Sequence, residues 1–230
     1  MDLGELMEDL LSDEAYVRGR RRYPRTVGED EAIAMARHFH AELDRGTAVR
    51  EVVAKKMGAE IACGRGCNGC CCELVLVREP EALAVARWLE EPENSAAKEA
   101  FLEAYPRWKA AVGDAPERLT ELQHASDAKT YGEAHVDQWR KGILCAFNRD
   151  GMCSVYPVRP IVCRNAHAVE TSERCDPKNT SGKPATRLAF QPVDDFVTLS
   201  RRVLQSAHHA VRGLKARQDA LCDAVYRLLV

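Results

Sequence analysis

The sequence predicts a mainly α protein, a helical scaffold around two irregular cysteine-rich loops, and three observations carry that reading. Apolar residues recur at three- and four-residue steps along most of the 230 residues. Two stretches, 61 to 78 and 142 to 184, break the period and are rich in Cys, Gly, Pro and Arg. Nine of the ten cysteines fall in those stretches, so the irregular segments carry the distinctive chemistry.

Taken in order, residues 1 to 22 and 28 to 57 have helical spacing, with Leu3, Leu6 and Leu10 in the first and Ile33, Ala36, Phe39 and Leu43 in the second. Pro24 and Gly28 separate them. A helix is expected from near Pro80 through Ala82, Leu83, Val85, Ala86 and Leu89, with further helical pattern over 95 to 112 and 116 to 141. In the last segment Phe196, Leu199, Val203, Ala207, Val211, Leu214, Leu221, Val225 and Leu228 form one apolar stripe, which predicts a long helix with Gly213 as its weak point. The organisation expected is a helical extension over 1–59, a cysteine-cluster region over 60–184 and a C-terminal helix over 185–230 that packs on the same domain.

A chain of this length can bury a core without covalent staples, so small size does not explain the cysteines. The formal net charge of -2 offers no broad attraction to nucleic acid or to an anionic membrane surface. The opening MDLGELMEDLLSDEAY carries acids where a secretory signal needs a basic region, and no segment approaches the roughly 20 apolar residues of a membrane span. A cytoplasmic location is expected. In a reducing compartment, ten cysteines read more readily as metal-binding thiolates than as disulfides.

The first cluster reads Cys63-Gly-Arg-Gly-Cys67-Asn-Gly-Cys70-Cys71-Cys72. Coiled helically, Cys63, Cys67, Cys70 and Cys71 would share a face and Cys72 would point away, but Gly64, Gly66 and Gly69 favour tight turns. Turns also present free backbone N–H groups to sulfur. The second cluster brings Cys145, Cys153, Cys163 and Cys175. Asp150-Gly151 is a turn signal that would fold Cys145 back toward Cys153, and Pro157 and Pro160 hold the following chain extended. Eight thiolates in one pocket repel one another unless cations offset them, which points to two tetrahedral metal sites, a sulfur-bridged pair or a cluster. Arg65, Arg78, Arg149, Arg159, Arg164 and Arg174 stand near these cysteines in sequence and could offset remaining charge.

The run Cys63, Cys67, Cys70, Cys71, followed by Cys145, Cys153, Tyr156, Arg159, Pro160, Cys163 and Arg164, resembles the zinc- or iron-chelating family known for a CxxCxxCC motif. Its second half, C-x7-C-x2-Y-x2-RP-x2-CR, is the more specific part. The first half departs from the family: its opening spacing is one residue longer, and Cys72 follows the pair. The resemblance covers roughly residues 60 to 176. It implies a zinc, iron or iron–sulfur centre with cysteine ligands and a distant kinship with flagellin lysine methylases, without implying one reaction.

Cys222, alone on the apolar C-terminal helix, reads as an ordinary buried cysteine whose replacement leaves metal in place, and Cys72 reads as a spare thiol. His167, four residues past Cys163, could complete a coordination sphere, whereas His38, His40, His208 and His209 lie on helices with surface or structural roles. The Cys67–Cys70 pair lacks the strand–helix–strand setting of a thioredoxin motif. No P-loop, GxGxxG or GxSxG is present, and the pairs Asp13-Glu14, Glu90-Glu91 and Asp194-Asp195 read as caps or solvated faces. Trp88, Trp108 and Trp139 read as interhelix contacts.

Three functions are compatible with these residues. The first is an accessory or metal-handling protein whose centre is structural, stored, sensed or passed on. The second is an iron- or iron–sulfur-dependent enzyme that modifies a protein or peptide partner, as the methylase kinship suggests. The third is a thiol redox switch.

Overall fold

The computed structural model describes residues 29–179, the single positions 65, 126, 166 and 170 apart, and residues 218–230. Among these residues the chain is mainly helical, and its strands are two residues long. Helix α1 spans Glu29–Lys56 and buries Ala32, Ile33, Ala36, Phe39, Leu43 and Ala54 along one face. It ends where Gly58 takes a positive φ of 71°. After the first cysteine segment comes strand β1, Leu76–Val77, and then helix α2, Glu79–Glu90.

Helix α2 is the centre of the fold. Pro80 through Ala86 and Leu89 are all buried, as expected for a helix covered on several sides. Helices α1, α3 (Ser95–Val112) and α7 (Leu221–Leu229) pack on it. The stripe Phe101, Trp108 and Val112 turns α3 toward the core, and Gly113 ends the helix with a φ of 61°. Trp88 packs at the edge of the same core and Trp139 is half-buried.

The single helix expected over 116 to 141 is two: α4, Ala115–His124, and α5, Ala128–Arg140. The break has a local cause. The Asp127 carboxylate accepts the Thr130 backbone N–H at 3.0 Å and starts a new helix rather than continuing the old one. The long C-terminal helix needs a larger correction. Strand β4, Asp219–Ala220, precedes α7, so helix does not run unbroken through to Leu228. β4 pairs antiparallel with β1, Leu76 opposite Ala220, and the Leu221 N–H donates to the Val75 carbonyl at 2.9 Å. Those backbone groups serve a ladder and are lost to a helix. The expectations for residues 1 to 22, Pro24, Gly28, the stripe from Phe196 to Leu214, Gly213, His208 and His209 lie outside the described residues.

Aromatic pairs tie the layers together. Phe101 of α3 stacks on Phe147 with ring centroids 4.1 Å apart, and Tyr105 stacks on Tyr226 of α7 at 3.9 Å. Among the described residues no helix is long and apolar enough to cross a membrane.

Candidate metal centre

The first cysteine segment folds as tight turns, as its glycines require. Gly66 has a φ of 87°, the Cys67 N–H closes a turn onto the Gly64 carbonyl at 3.0 Å, and only Gly69–Cys72 coils, as one turn of 3-10 helix. Gly69 has no room for a side chain. A Cβ there would lie 2.6 Å from the Cys175 Cβ and 2.8 Å from the Cys175 carbonyl oxygen. The two cysteine regions therefore touch, and the contact continues along the chain. The Cys145 N–H donates to the Cys71 carbonyl at 2.8 Å, Ile61 bridges to Val169, and the Ala168 N–H donates to the Cys63 sulfur at 3.1 Å.

The second segment opens with a hairpin of β2, Asn148–Arg149, and β3, Met152–Cys153. Asp150 at a φ of 51° and Gly151 at 81° form the turn, both positive as a primed hairpin turn demands. The chain then makes a 3-10 turn at Tyr156–Val158 and enters the short helix α6, Ile161–Asn165, which carries Cys163. The residues that accompany the cysteines hold this loop. Arg164, 1% exposed, donates to the carbonyls of Arg159 and Pro157 and to the Asp44 carboxylate of α1. Arg50, fully buried, donates to the Arg164 carbonyl at 3.4 Å and to the Asn165 side chain at 2.9 Å. The buried Glu81 carboxylate accepts the Ile161 N–H at 2.9 Å and the Arg78 N–H at 3.3 Å. The Arg159 guanidinium lies 3.6 Å from the centre of the Tyr156 ring.

Four thiols from four segments share one electrostatic environment. Burial pushes Cys163 well above its ordinary value, and the neighbouring sulfurs of Cys70, Cys145 and Cys153 push it further. Burial raises Cys153 to about 11, with Cys145 adding to the rise and the Arg159 charge opposing it. Cys145 is lowered instead, because the Cys222 thiol hydrogen-bonds to it with the sulfurs 3.6 Å apart. Cys72 is buried and raised, first by burial and then by Asp176. No family model matches this chain, and no curated protein or solved structure does.

The other predicted positions lie around this group. Cys175 is buried against Gly69, Cys63 is engaged by Ala168, and Cys71 is joined to Cys145 through its backbone. Cys67 and Cys72 line a cavity of about 680 Å³ between the two regions, together with Asn68, Glu173, Asp176 and Lys178. His167 faces a different neighbour, since its Nδ1 accepts from Arg50 at 3.2 Å, and burial followed by the Arg50 charge lowers it to about 4. Arg164 and Arg50 spend their donors on backbone carbonyls and on Asp44, Asn165 and His167. Arg149 is exposed and Arg65 lies outside the described residues. Of the six arginines expected as counter-charges, Arg159 has a direct effect on Cys153.

Sequence reasoning missed Arg50, Glu81 and the approach of Cys222 to Cys145. The first two stand on α1 and α2, where only their lack of exposure marks them. The residues that act on one another here are thiols, which suit a soft metal, and the Glu81 carboxylate has each oxygen on a backbone N–H. Among the described residues no three His, Cys, Asp or Glu side chains stand close enough to hold an ion, so a bound metal requires the gathered sulfurs to turn inward.

Proposed function

We propose that the protein binds zinc, iron or an iron–sulfur cluster through Cys70, Cys145, Cys153 and Cys163, in an accessory or metal-handling role. The observation that supports this is that the sulfurs of Cys70 and Cys145 both raise Cys153 and Cys163, although these residues lie as far apart as 93 positions in the chain. Protonated thiols are poor ligands, and a cation in their midst reverses the balance by favouring thiolate. Zinc and iron–sulfur clusters both accept four thiolates in tetrahedral geometry. The sequence resemblance to the zinc- or iron-chelating cysteine-cluster family supports the same reading, with Cys63, Cys67, Cys71 and Cys175 available to a second ion or a larger cluster.

Anaerobic purification followed by metal and sulfide analysis and an absorption spectrum tests it. A brown protein with stoichiometric iron and sulfide identifies a cluster, and a colourless one with stoichiometric zinc identifies a zinc site. Substoichiometric metal of every kind, after growth with zinc and iron supplied, sinks the reading. Cys163→Ser and Cys153→Ser are expected to lose the metal.

A second reading, an enzyme that modifies a protein or peptide, draws support from the cavity bordered by Cys67 and Cys72. Its volume of about 680 Å³ falls within the range of substrate pockets. Such an enzyme keeps a coordination position open to solvent, whereas a structural centre fills all of its positions with protein.

A further inference from the structure

The C-terminal helix presents a sulfur to this same region that its sequence context conceals. Cys222 opens the first turn of α7, is 2% exposed, and approaches Cys145 to 3.6 Å between sulfurs. A disulfide would need about 2.0 Å. Two thiolates on one tetrahedral ion, with metal–sulfur bonds of about 2.3 Å, stand about 3.8 Å apart. The observed 3.6 Å is far from the first and close to the second, a spacing that the thiol–thiol hydrogen bond between these residues also gives.

The surroundings of the two sulfurs also match. Backbone N–H groups of Phe147, Ala146 and Val155 act to lower the thiols of Cys145, Cys222 and Cys153 respectively. Peptide N–H groups aimed at sulfur stabilise thiolate and orient ligands around a metal. Position is enforced as well. Asp223, the next residue, accepts from the Tyr105 hydroxyl at 2.8 Å and from Lys109 at 2.9 Å, and β4 pairs with β1 immediately before. These contacts fix α7 at its start and so keep position 222 beside Cys145.

We infer that Cys222 is a metal ligand adjacent to Cys145 on the same ion, so that the C-terminal helix closes the centre built by the two cysteine loops. This rests on the metal-binding reading above and adds a ligand that the family resemblance does not include. It also reverses the sequence expectation that Cys222 is dispensable for metal.

The test uses the full chain loaded anaerobically with NMR-active cadmium, in which cadmium-to-proton correlations identify each ligating cysteine without a substitution. Correlations from the β-protons of Cys145 and Cys222 to one cadmium resonance are expected. In the companion experiment, cobalt-loaded Cys222→Ser and Cys222→Ala are expected to lose about one quarter of the thiolate-to-cobalt absorption, one ligand of four, and to bind cobalt at least about tenfold more weakly. Cadmium bound with correlations to Cys153 and Cys163 but none to Cys222 overturns the inference and leaves the centre standing. A chain that binds neither cadmium nor cobalt overturns both. A Cys145–Cys222 disulfide found by mass spectrometry in the anaerobic, reduced protein overturns the inference as well.

Discussion

The helical half and the loop half of this protein are held together by different forces. In the helical half, α2, α3 and α7 enclose Leu89, Phe101, Val77 and Val225, each 1% exposed or less, and the stacked ring pairs add orientation to burial. In the loop half, Ala146, Phe147, Val155 and Val158 join the same core, and two buried arginines and a buried glutamate hold backbone as well. The loops are thus shaped in part by polar groups that are costly to leave unpaired, around the Cys153 and Cys163 thiols, which burial keeps protonated. That contrast suits a scaffold which persists on its own and a centre whose final form depends on what it binds.

The strongest challenge to the contrast is Phe147→Ala. Phe147 is 1% exposed, stacks on Phe101 and stands two residues after Cys145, so it joins the halves. Its truncation is expected to cost about 3–5 kcal/mol of global stability, read from the shift in a urea or guanidinium midpoint. A loss below about 1 kcal/mol would mean that this ring does not anchor the hairpin to the helical core.

A smaller and more local effect is expected of Arg164→Met. It removes the donors that serve the carbonyls of Arg159 and Pro157 and unpairs Asp44 from its strongest partner. Asp44 is half exposed and regains water, so the penalty falls chiefly on the two carbonyls, about 2–3 kcal/mol. The distinguishing readout is hydrogen exchange: protection should fall across residues 156 to 165 and persist in α2 and α3. Uniform loss of protection through both halves would erase the distinction between them.

How much of this was legible in the sequence follows the same division. The spans 79–90, 95–112 and 29–56 were readable because each buries one face or more, and burial leaves a period in the residues themselves. The hairpin at Asp150-Gly151 was readable because a primed turn demands positive φ at both positions. The break before Asp127 was hidden because both flanking segments keep helical spacing. The strand at 219–220 and the contact of Cys222 with Cys145 were hidden for another reason: each depends on a partner more than seventy positions away, and such pairings write nothing into the local pattern. The expectation that Cys70, Cys145, Cys153 and Cys163 belong to one centre came from chemistry, since thiols among glycines and prolines are poor core material. The clamp of Arg50 and Arg164 could not be, because a buried arginine and a surface arginine look alike in sequence.

The smallest effect concerns the interface between the halves, where two imidazoles are held neutral. His40 of α1 is 3% exposed, neither ring nitrogen has a hydrogen-bond partner among the described residues, and burial, then Arg164 and Arg159, lower it to about 3. His167 is lowered to about 4. A base with a depressed folded pKa leaves stability intact above its unfolded value near 6.5 and costs stability as pH falls through it, because the unfolded chain takes a proton that the native one refuses. The cost grows until the native groups titrate, near 4 for His167 and near 3 for His40. Between about pH 7 and pH 6 each imidazole is therefore expected to cost roughly 0.7 kcal/mol. His40→Leu should remove its own share of that slope while leaving stability at neutral pH unchanged within about 1 kcal/mol, since it replaces an unpartnered buried ring nitrogen with hydrocarbon. Urea midpoints across that range measure both quantities. An unchanged slope would show that His40 takes up its proton as readily in the folded protein as in the unfolded chain, and with that the picture of a dry, neutral seam between α1 and the Cys163 loop would fail.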